Sequence, residues 1–326
     1  MKNEMKNFAP MVVFAYNRPD HLQKTLDALR KNVGVAESEL HIFCDGPKEN
    51  ATPETRARIE RVREIARASQ FAKSTTVHVQ EKNRGLANSV INGVASVLAC
   101  HERAIVVEDD LETSPGFLRF MNLALDFYEN YPNVFSIGGH SYGRRALKIP
   151  ADYPHDVFVS PRGCSWGYAT WRDRWERVNW QDATAWEECL ASAAQSAAFD
   201  RGGADLTKML RQHIEGKIDS WFIRFLFAHY KHRAVSILPC DTLVRNTGCD
   251  GSGVHCDATT AREEVGEWVS LENPRFVSEL FEDEKIIAAL RGVVRPRKRT
   301  FKERYGKKWR RLMRVFTRRR GGAECP

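Results

Sequence analysis

Ile105-Val106-Val107-Glu108-Asp109-Asp110-Leu111 carries three apolar β-formers straight into three consecutive carboxylates and back to an apolar residue. An uninterrupted apolar run of this kind reads as a strand buried on both faces, the central strand of a sheet covered by helices on either side. The acids then fall at its carboxyl end, where loops diverge and ligands bind in open α/β sheets. Adjacent carboxylates repel one another and are costly to desolvate, so a buried acidic triplet calls for a positive or hydrogen-bonding partner. A hard divalent cation, Mn2+ or Mg2+, meets that need with oxygen ligands, completing its shell with water or substrate phosphate. The same letters also suit a solvated acidic turn after a buried strand.

Upstream, strand and helix patterns alternate. Pro10 to Tyr16 is an apolar run, followed by the turn Asn17-Arg18-Pro19-Asp20 and a helix with Leu22, Leu26 and Leu29 on one side. Leu40 to Cys44 is a second strand ending at Asp45-Gly46-Pro47, and Pro53 to Ser69 is a charged surface helix. Thr75 to Gln80 alternates as a strand, Asn83-Arg84-Gly85 breaks it, and Leu86 to Cys100 has helical spacing. The alternation predicts an α/β fold with a mostly parallel sheet. Asn17 and Arg18, Asp45, and Glu108 to Asp110 would meet at one sheet edge. Neither GxGxxG nor GxxxxGK[ST] stands at a strand-to-helix junction, so phosphates would be held by a metal and basic side chains rather than by a glycine cradle.

After a helix from Pro115 to Asn130 and the strand Val134 to Ile137, regular alternation stops at Gly138-Gly139-His140. Trp166, Tyr168, Trp171, Trp175, Trp180 and Trp186 crowd the next segment. Aromatic faces suit a sugar ring and equally suit the core of a smaller lobe. Gly167, beside Trp166, is a position where a ligand can approach the backbone closely. A helix over Leu206 to Ile214 stops at Gly216, and Lys217-Ile218-Asp219-Ser220-Trp221 opens another with Asp219 placed as N-cap. Val235 to Leu238 reads as a last strand. A glycine-rich loop from Arg245 to Cys256 contains His255, a ligand for metal or phosphate if the loop closes over a site.

Composition sets the outer limits. The chain has 326 residues and a formal charge of +8. From Arg295 onward 14 Lys or Arg face only Glu303 and Glu324, a net of +12, so residues 1–294 carry −4. Phe301, Tyr305, Trp309, Leu312, Met313 and Phe316 form one helical stripe in that basic tail, the pattern of a helix lying on an anionic membrane surface. Nucleic acid is the less favoured partner, because phosphate binding needs no apolar face. No apolar run approaches the roughly 18–20 residues of a membrane-spanning helix, and Met1 to Pro10 lacks the core of a secretion signal. The expected location is the cytoplasm, peripheral to the membrane. Eight scattered cysteines are expected to be free thiols; Cys240, Cys249, His255 and Cys256 lack the CxxC pairing of a zinc site.

With these residues in place the chain resembles the N-acetylglucosaminyltransferase I type of glycosyltransferase (family 13-like) and its bacterial family 2-like relatives, which share the GT-A fold. The resemblance runs from about Val12 to Cys256 and is strongest over Val106 to Glu112 with the trailing Ser114-Pro115-Gly116-Phe117. It implies a glycosyltransferase domain over 8–290, with a nucleotide-binding half (8–140) and an acceptor half (141–290), ahead of the tail at 295–326. It implies inverting, metal-assisted transfer from a nucleotide diphosphate sugar, UDP-N-acetylglucosamine as leading donor, to a glycan or lipid-linked glycan. Asp110 would hold the metal, joined by His255. Glu108 and Asp109 would approach donor sugar and ribose, Arg18 and Asp45 the nucleotide, with Arg84, Trp166, Gly167 and Trp221 also lining the substrate site. Asp219 would be the general base. Two departures stand out: Ile218 replaces the motif's leading tryptophan and Ser220 its second acid.

A sugar-nucleotide nucleotidyltransferase is the nearest alternative, but it would carry a glycine-rich basic loop after the first strand, which Asn17-Arg18-Pro19-Asp20 is not. A non-catalytic protein binding nucleic acid or membrane through the tail is the other.

Overall fold

The computed structural model describes residues 8–248, 268 and 271–294. These all belong to one compact unit spanning Met1–Val294. His255 and the tail at 295–326, with the metal-ligand and membrane readings attached to them, lie outside the described residues.

The first half alternates strand and helix: β1 (Met11–Ala15), α1 (Pro19–Arg30), β2 (Glu39–Cys44), α2 (Pro53–Ala68), β3 (Ser74–Val79), α3 (Leu86–Leu98) and β4 (Arg103–Glu108). Then follow β5 (Leu111–Thr113), α4 (Phe117–Tyr128), β6 (Val134–Gly138), α5 (Gly143–Ala146), β7 (Val157–Ser160) and β8 (Tyr168–Trp171). The helices α6 (Arg172–Glu176), α7 (Ala183–Ala191), α8 (Ala193–Phe199), α9 (Leu206–Ile214) and α10 (Trp221–Lys231) lead to β9 (Val235–Pro239), β10 (Val244–Asn246) and α11 (Glu284–Val293).

Eight strands form one sheet in the order β3-β2-β1-β4-β8-β6-β9-β7, and β5 pairs with β10 in a separate ribbon. β1, β2, β3 and β4 are mutually parallel, as the alternation predicts. β8 then enters antiparallel between β4 and β6, and β7 closes the far edge antiparallel to β9. One sheet therefore crosses the expected boundary at residue 140. The insertion was not legible in advance, because Tyr168-Ala169-Thr170-Trp171 sits in a run dominated by aromatics and is only four residues long.

The two faces of β1 explain its apolar run. Met11, Val13 and Ala15 pack with Ile42, Val107 and the buried side of α1, α2 and α4. Val12 and Phe14 face the other way, with Phe43, Val106, Val90, Val94 and the rings of Tyr168, Trp175 and Trp221. Covering both faces removes these β-branched and aromatic groups from water, about 1.5–3 kcal/mol for each large side chain fully buried. Most of the tryptophan-rich segment follows suit: Tyr168, Trp171, Trp175 and Trp186 are buried.

Two local details differ from the sequence reading. Ser220, not Asp219, caps α10, its hydroxyl accepting from the Ile223 amide at 3.3 Å. The helix accordingly begins at Trp221, since the residue that supplies the cap sets the first turn. After β9 the chain also makes one more strand, β10, antiparallel to β5.

Behind the sheet, Tyr128 is wholly buried and its hydroxyl both donates to the Val277 carbonyl and accepts from the Val277 amide, each at 3.0 Å. Tyr128→Phe leaves two backbone groups unpaired in the core. Such groups cost about 1–3 kcal/mol each, so urea unfolding should show a loss of at least about 1 kcal/mol; an unchanged midpoint would contradict the clamp.

Candidate functional site

The carboxyl ends of β1, β2, β3, β4, β6 and β9 lie on one edge of the sheet, a consequence of parallel pairing on either side of the antiparallel β8. Glu108 closes β4, and Asp109 and Asp110 turn the chain into β5. Asp109 and Asp110 are 4% and 8% exposed, which excludes the solvated-turn reading of the triplet. Arg18 stands at the position before α1 that capping residues favour, yet its side chain caps nothing. It reaches across instead to ion-pair with Asp109, and its Nη1 lies 3.0 Å from Asp110 Oδ2.

One arginine does not balance three acids. Asp110 Oδ1 is buried with no hydrogen-bond partner. Burial and the neighbouring Asp110 charge lift the Asp109 carboxyl to about 6, with Arg18 and the Tyr16 amide opposing them. Burial, Asp110 and Asp109 hold Glu108 far above the ordinary carboxylate range. A partnerless carboxylate oxygen among desolvated acids is the residue chemistry that a hard cation fits, and Asp110 is the group best placed to hold it.

The β5–β10 ribbon brings the start of the glycine-rich loop onto this triplet. Asn246 pairs with Leu111, and the Thr247 amide and hydroxyl both donate to the Asp110 carbonyl, at 2.8 and 3.0 Å. Gly248 comes next. A Cβ there would stand 2.1 Å from Asp110 Oδ2, so only glycine lets the loop pass over the carboxylate.

The remaining expected residues divide by position. Asp45 is buried, and its carboxylate accepts from the amides of Gly46, Arg84 and Gly85 and from the Asn83 side chain. Those four donors fill its lone pairs, so it shapes the 83–85 turn. Arg84 itself is exposed at that edge. Trp221 is 3% exposed and stacked 5.2 Å from Tyr168, inside the core beneath the edge rather than on its surface. Gly167 has φ +65°, and the room a side chain would need is taken by Val244 and Phe117. Its conformation is thereby explained by packing, with the Gly139 amide donating to its carbonyl at 2.7 Å. Asp219 is 62% exposed just ahead of α10, with Arg224 Nη2 at 3.0 Å.

A small cleft of about 170 Å³ is walled among others by His140, Tyr142, Arg162, Trp166, Phe222 and Leu238. Phe222, in the first turn of α10, is one of its walls, and Asp219 is not. Trp166 alone of the expected aromatic contacts lines it. His140 is the group that the sequence reading passed over. Its ring lies 4.6 Å from that of Trp166, its Nδ1 faces the Thr242 hydroxyl at 3.0 Å and the Val244 carbonyl at 3.4 Å, and its Nε2 is buried without a partner. A carbonyl only accepts, so Nδ1 carries the proton and Nε2 keeps a free lone pair. Burial lowers the imidazole to about 4, leaving it neutral. The only signal in the sequence was a histidine at a strand end after two glycines.

The chain matches no known protein family and no curated protein. Among solved structures it is similar to the mannosyltransferase PcManGT from Pyrobaculum calidifontis in complex with GDP-Man and Mn2+, at 13% identity over 71% of this chain and 73% of that one, with a TM-score of 0.38. The glucosyl-3-phosphoglycerate synthase of Mycobacterium tuberculosis, with Mn2+, UDP and glucosyl-3-phosphoglycerate, is 18% identical over 53% of this chain and 58% of that one, TM-score 0.32. S. aureus TarS is 18% identical over 40% of this chain and 21% of its own, TM-score 0.27. Identity and overlap at this level leave the activity to be argued from the chain's own residues.

A carboxyl whose folded-state value is raised disfavours the fold once ionised, so in ion-free protein this group's contribution falls as pH rises from about 4 through about 6. An NMR titration of the Asp109 carboxyl without divalent ions should therefore show a midpoint near 6. A midpoint at or below the ordinary value of about 4 would contradict the electrostatic account.

Proposed function

We propose that the chain is a GT-A-type, nucleotide-sugar-dependent glycosyltransferase that moves a sugar from a nucleotide diphosphate to a hydroxyl of a glycan or lipid-linked glycan. The observation that carries this reading is the buried Asp109–Asp110 pair at the end of β4, with Asp110 Oδ1 unpartnered. UDP-N-acetylglucosamine is the leading donor and Mn2+ or Mg2+ the cofactor, which Asp110 would hold together with His255. When bound, the ion offsets the charge that builds on a departing nucleotide diphosphate.

The chain's own groups do the rest. Arg18 adds positive charge at the same edge, and Asp45 fixes the turn that presents Arg84 there. Glu108 and Asp109 face the donor sugar and ribose hydroxyls. Trp166 offers a flat face to a sugar ring, and the neutral His140 accepts a hydrogen bond from a hydroxyl once one enters the cleft.

Asp219 takes the acceptor hydroxyl's proton as that oxygen attacks the anomeric carbon from the face opposite the leaving diphosphate. The configuration inverts and no covalent intermediate forms. Its exposure just ahead of α10 leaves it accessible to an acceptor. The basic stripe of 295–326 would hold the enzyme on an anionic membrane at the cytoplasmic side, close to a lipid-linked acceptor.

Asp219→Asn tests the base. Ser220 supplies the helix cap, so the variant should unfold at the parent's temperature and bind donor equally well. Transfer of sugar from UDP-N-acetylglucosamine or another UDP-sugar should fall by about 10²–10⁴-fold. Transfer within a few-fold of the parent would remove Asp219 from the mechanism.

A further inference from the structure

At the opposite edge of the sheet from the acids, Glu39 opens β2, His41 stands two residues along it, and His101 lies between α3 and β4. Glu39 Oε2 is 3.9 Å from His41 Nε2 and 3.8 Å from His101 Nε2, and all three ligand atoms fall within 4.8 Å of one another. The geometry points to a second metal site: a Glu39–His41–His101 centre for Zn2+ or a neighbouring first-row ion, separate from the oxygen-rich site at Asp110. It does not depend on the proposed transferase activity.

Three observations support it. First, the spacing is nearly right. A tetrahedral ion with bonds of about 2.0–2.1 Å sets its ligand atoms roughly 3.3–3.4 Å apart. The two gaps to Glu39 are about half an ångström wider and the His41–His101 gap is within 4.8 Å, and the partly exposed side chains of Glu39 (36%) and His101 (27%) can close them by rotating. Water completes the fourth position.

Second, the tautomers are prepared. His41 Nδ1 and His78 Nε2 meet at 3.2 Å, so one of the two carries the shared proton. If His78 donates, the His41 proton sits on Nε2, buried without an acceptor; if His41 donates, Nε2 presents a bare lone pair, also buried and unpartnered. The Glu39 carboxylate can turn to accept in the first arrangement, whereas the second leaves a lone pair that an ion satisfies. His78 then plays the outer partner that orients a ligating imidazole, and it is itself fixed by stacking 4.1 Å from Phe43.

Third, His101 follows directly on the last turn of α3, its amide donating to the Val97 carbonyl at 3.0 Å. The carboxyl end of a helix carries partial negative charge and favours a cation. Imidazole with one carboxylate selects zinc-like ions, whereas the carboxylates at Asp110 suit Mn2+ and Mg2+. β2 and β4, each six residues at about 3.3 Å per residue, hold the two sites about 20 Å apart.

The test uses the full chain, free of any polyhistidine tag and stripped with chelator. Titration with Co2+ should give visible d–d bands saturating at about one equivalent and bleached by Zn2+. His101→Ala and Glu39→Gln, both at partly exposed positions that leave the core intact, should each weaken binding by about tenfold or more. Asp110→Asn should leave it unchanged. Equal affinity in the Glu39→Gln/His101→Ala double variant would overturn the proposal, as would metal left wholly free at equimolar protein. A spectrum dominated by sulfur-to-cobalt charge transfer would do so too, because it would put the ion on cysteines.

Discussion

Everything at the functional edge is arranged around an imbalance of charge: one arginine against three desolvated carboxylates. Arg18, a donor-only side chain that cannot cap α1, reaches instead to Asp109 and Asp110. Thr25, within α1, donates to the Asp109 carbonyl at 2.8 Å, so the same helix holds the backbone whose side chains its first turn neutralises. The residual demand falls on Asp110 Oδ1. A fold that buries such a group without partnering it keeps a place for something positive, and nothing among the described residues repays that cost. The sheet packing around β1 and β4 is what makes the edge rigid enough to hold the imbalance.

The sequence made the parallel half legible because its strands are buried on both faces. Continuous runs such as Met11–Ala15 and Ala104–Val107 have no other stable use in a chain of this composition. The acids at their ends were visible for the same reason, as abrupt breaks in apolar runs. The second half was obscured by brevity. β7, β8, β5 and β10 have three or four residues each, too short for a period to declare itself. Their pairing depends on partners 30 or more residues away, and no local pattern encodes that.

Individual side chains were harder to place than strands. A tryptophan next to a polar motif looks the same whether it faces solvent or core; Trp166 reaches the cleft, while Trp221 is packed beneath it on Tyr168. Asp45 was expected at the nucleotide, and four donors now account for its carboxylate. His140 and the Glu39–His41–His101 group share another cause of concealment: their partners lie on separate strands and loops, so only the register brings them together. No local motif encodes such long-range placements.

The central claim is that the acidic edge binds a nucleoside diphosphate through a divalent cation. Thermal unfolding of the full chain with UDP, GDP and their sugars, each with and without Mn2+, addresses it directly, with Asp110→Asn as the control. At about 100 times its dissociation constant one nucleotide should add about 2.7 kcal/mol of stability, only when Mn2+ is present and only in the parent chain. Failure of every nucleotide to shift the transition, with or without the ion, would contradict the account and leave the buried acids with a structural role alone.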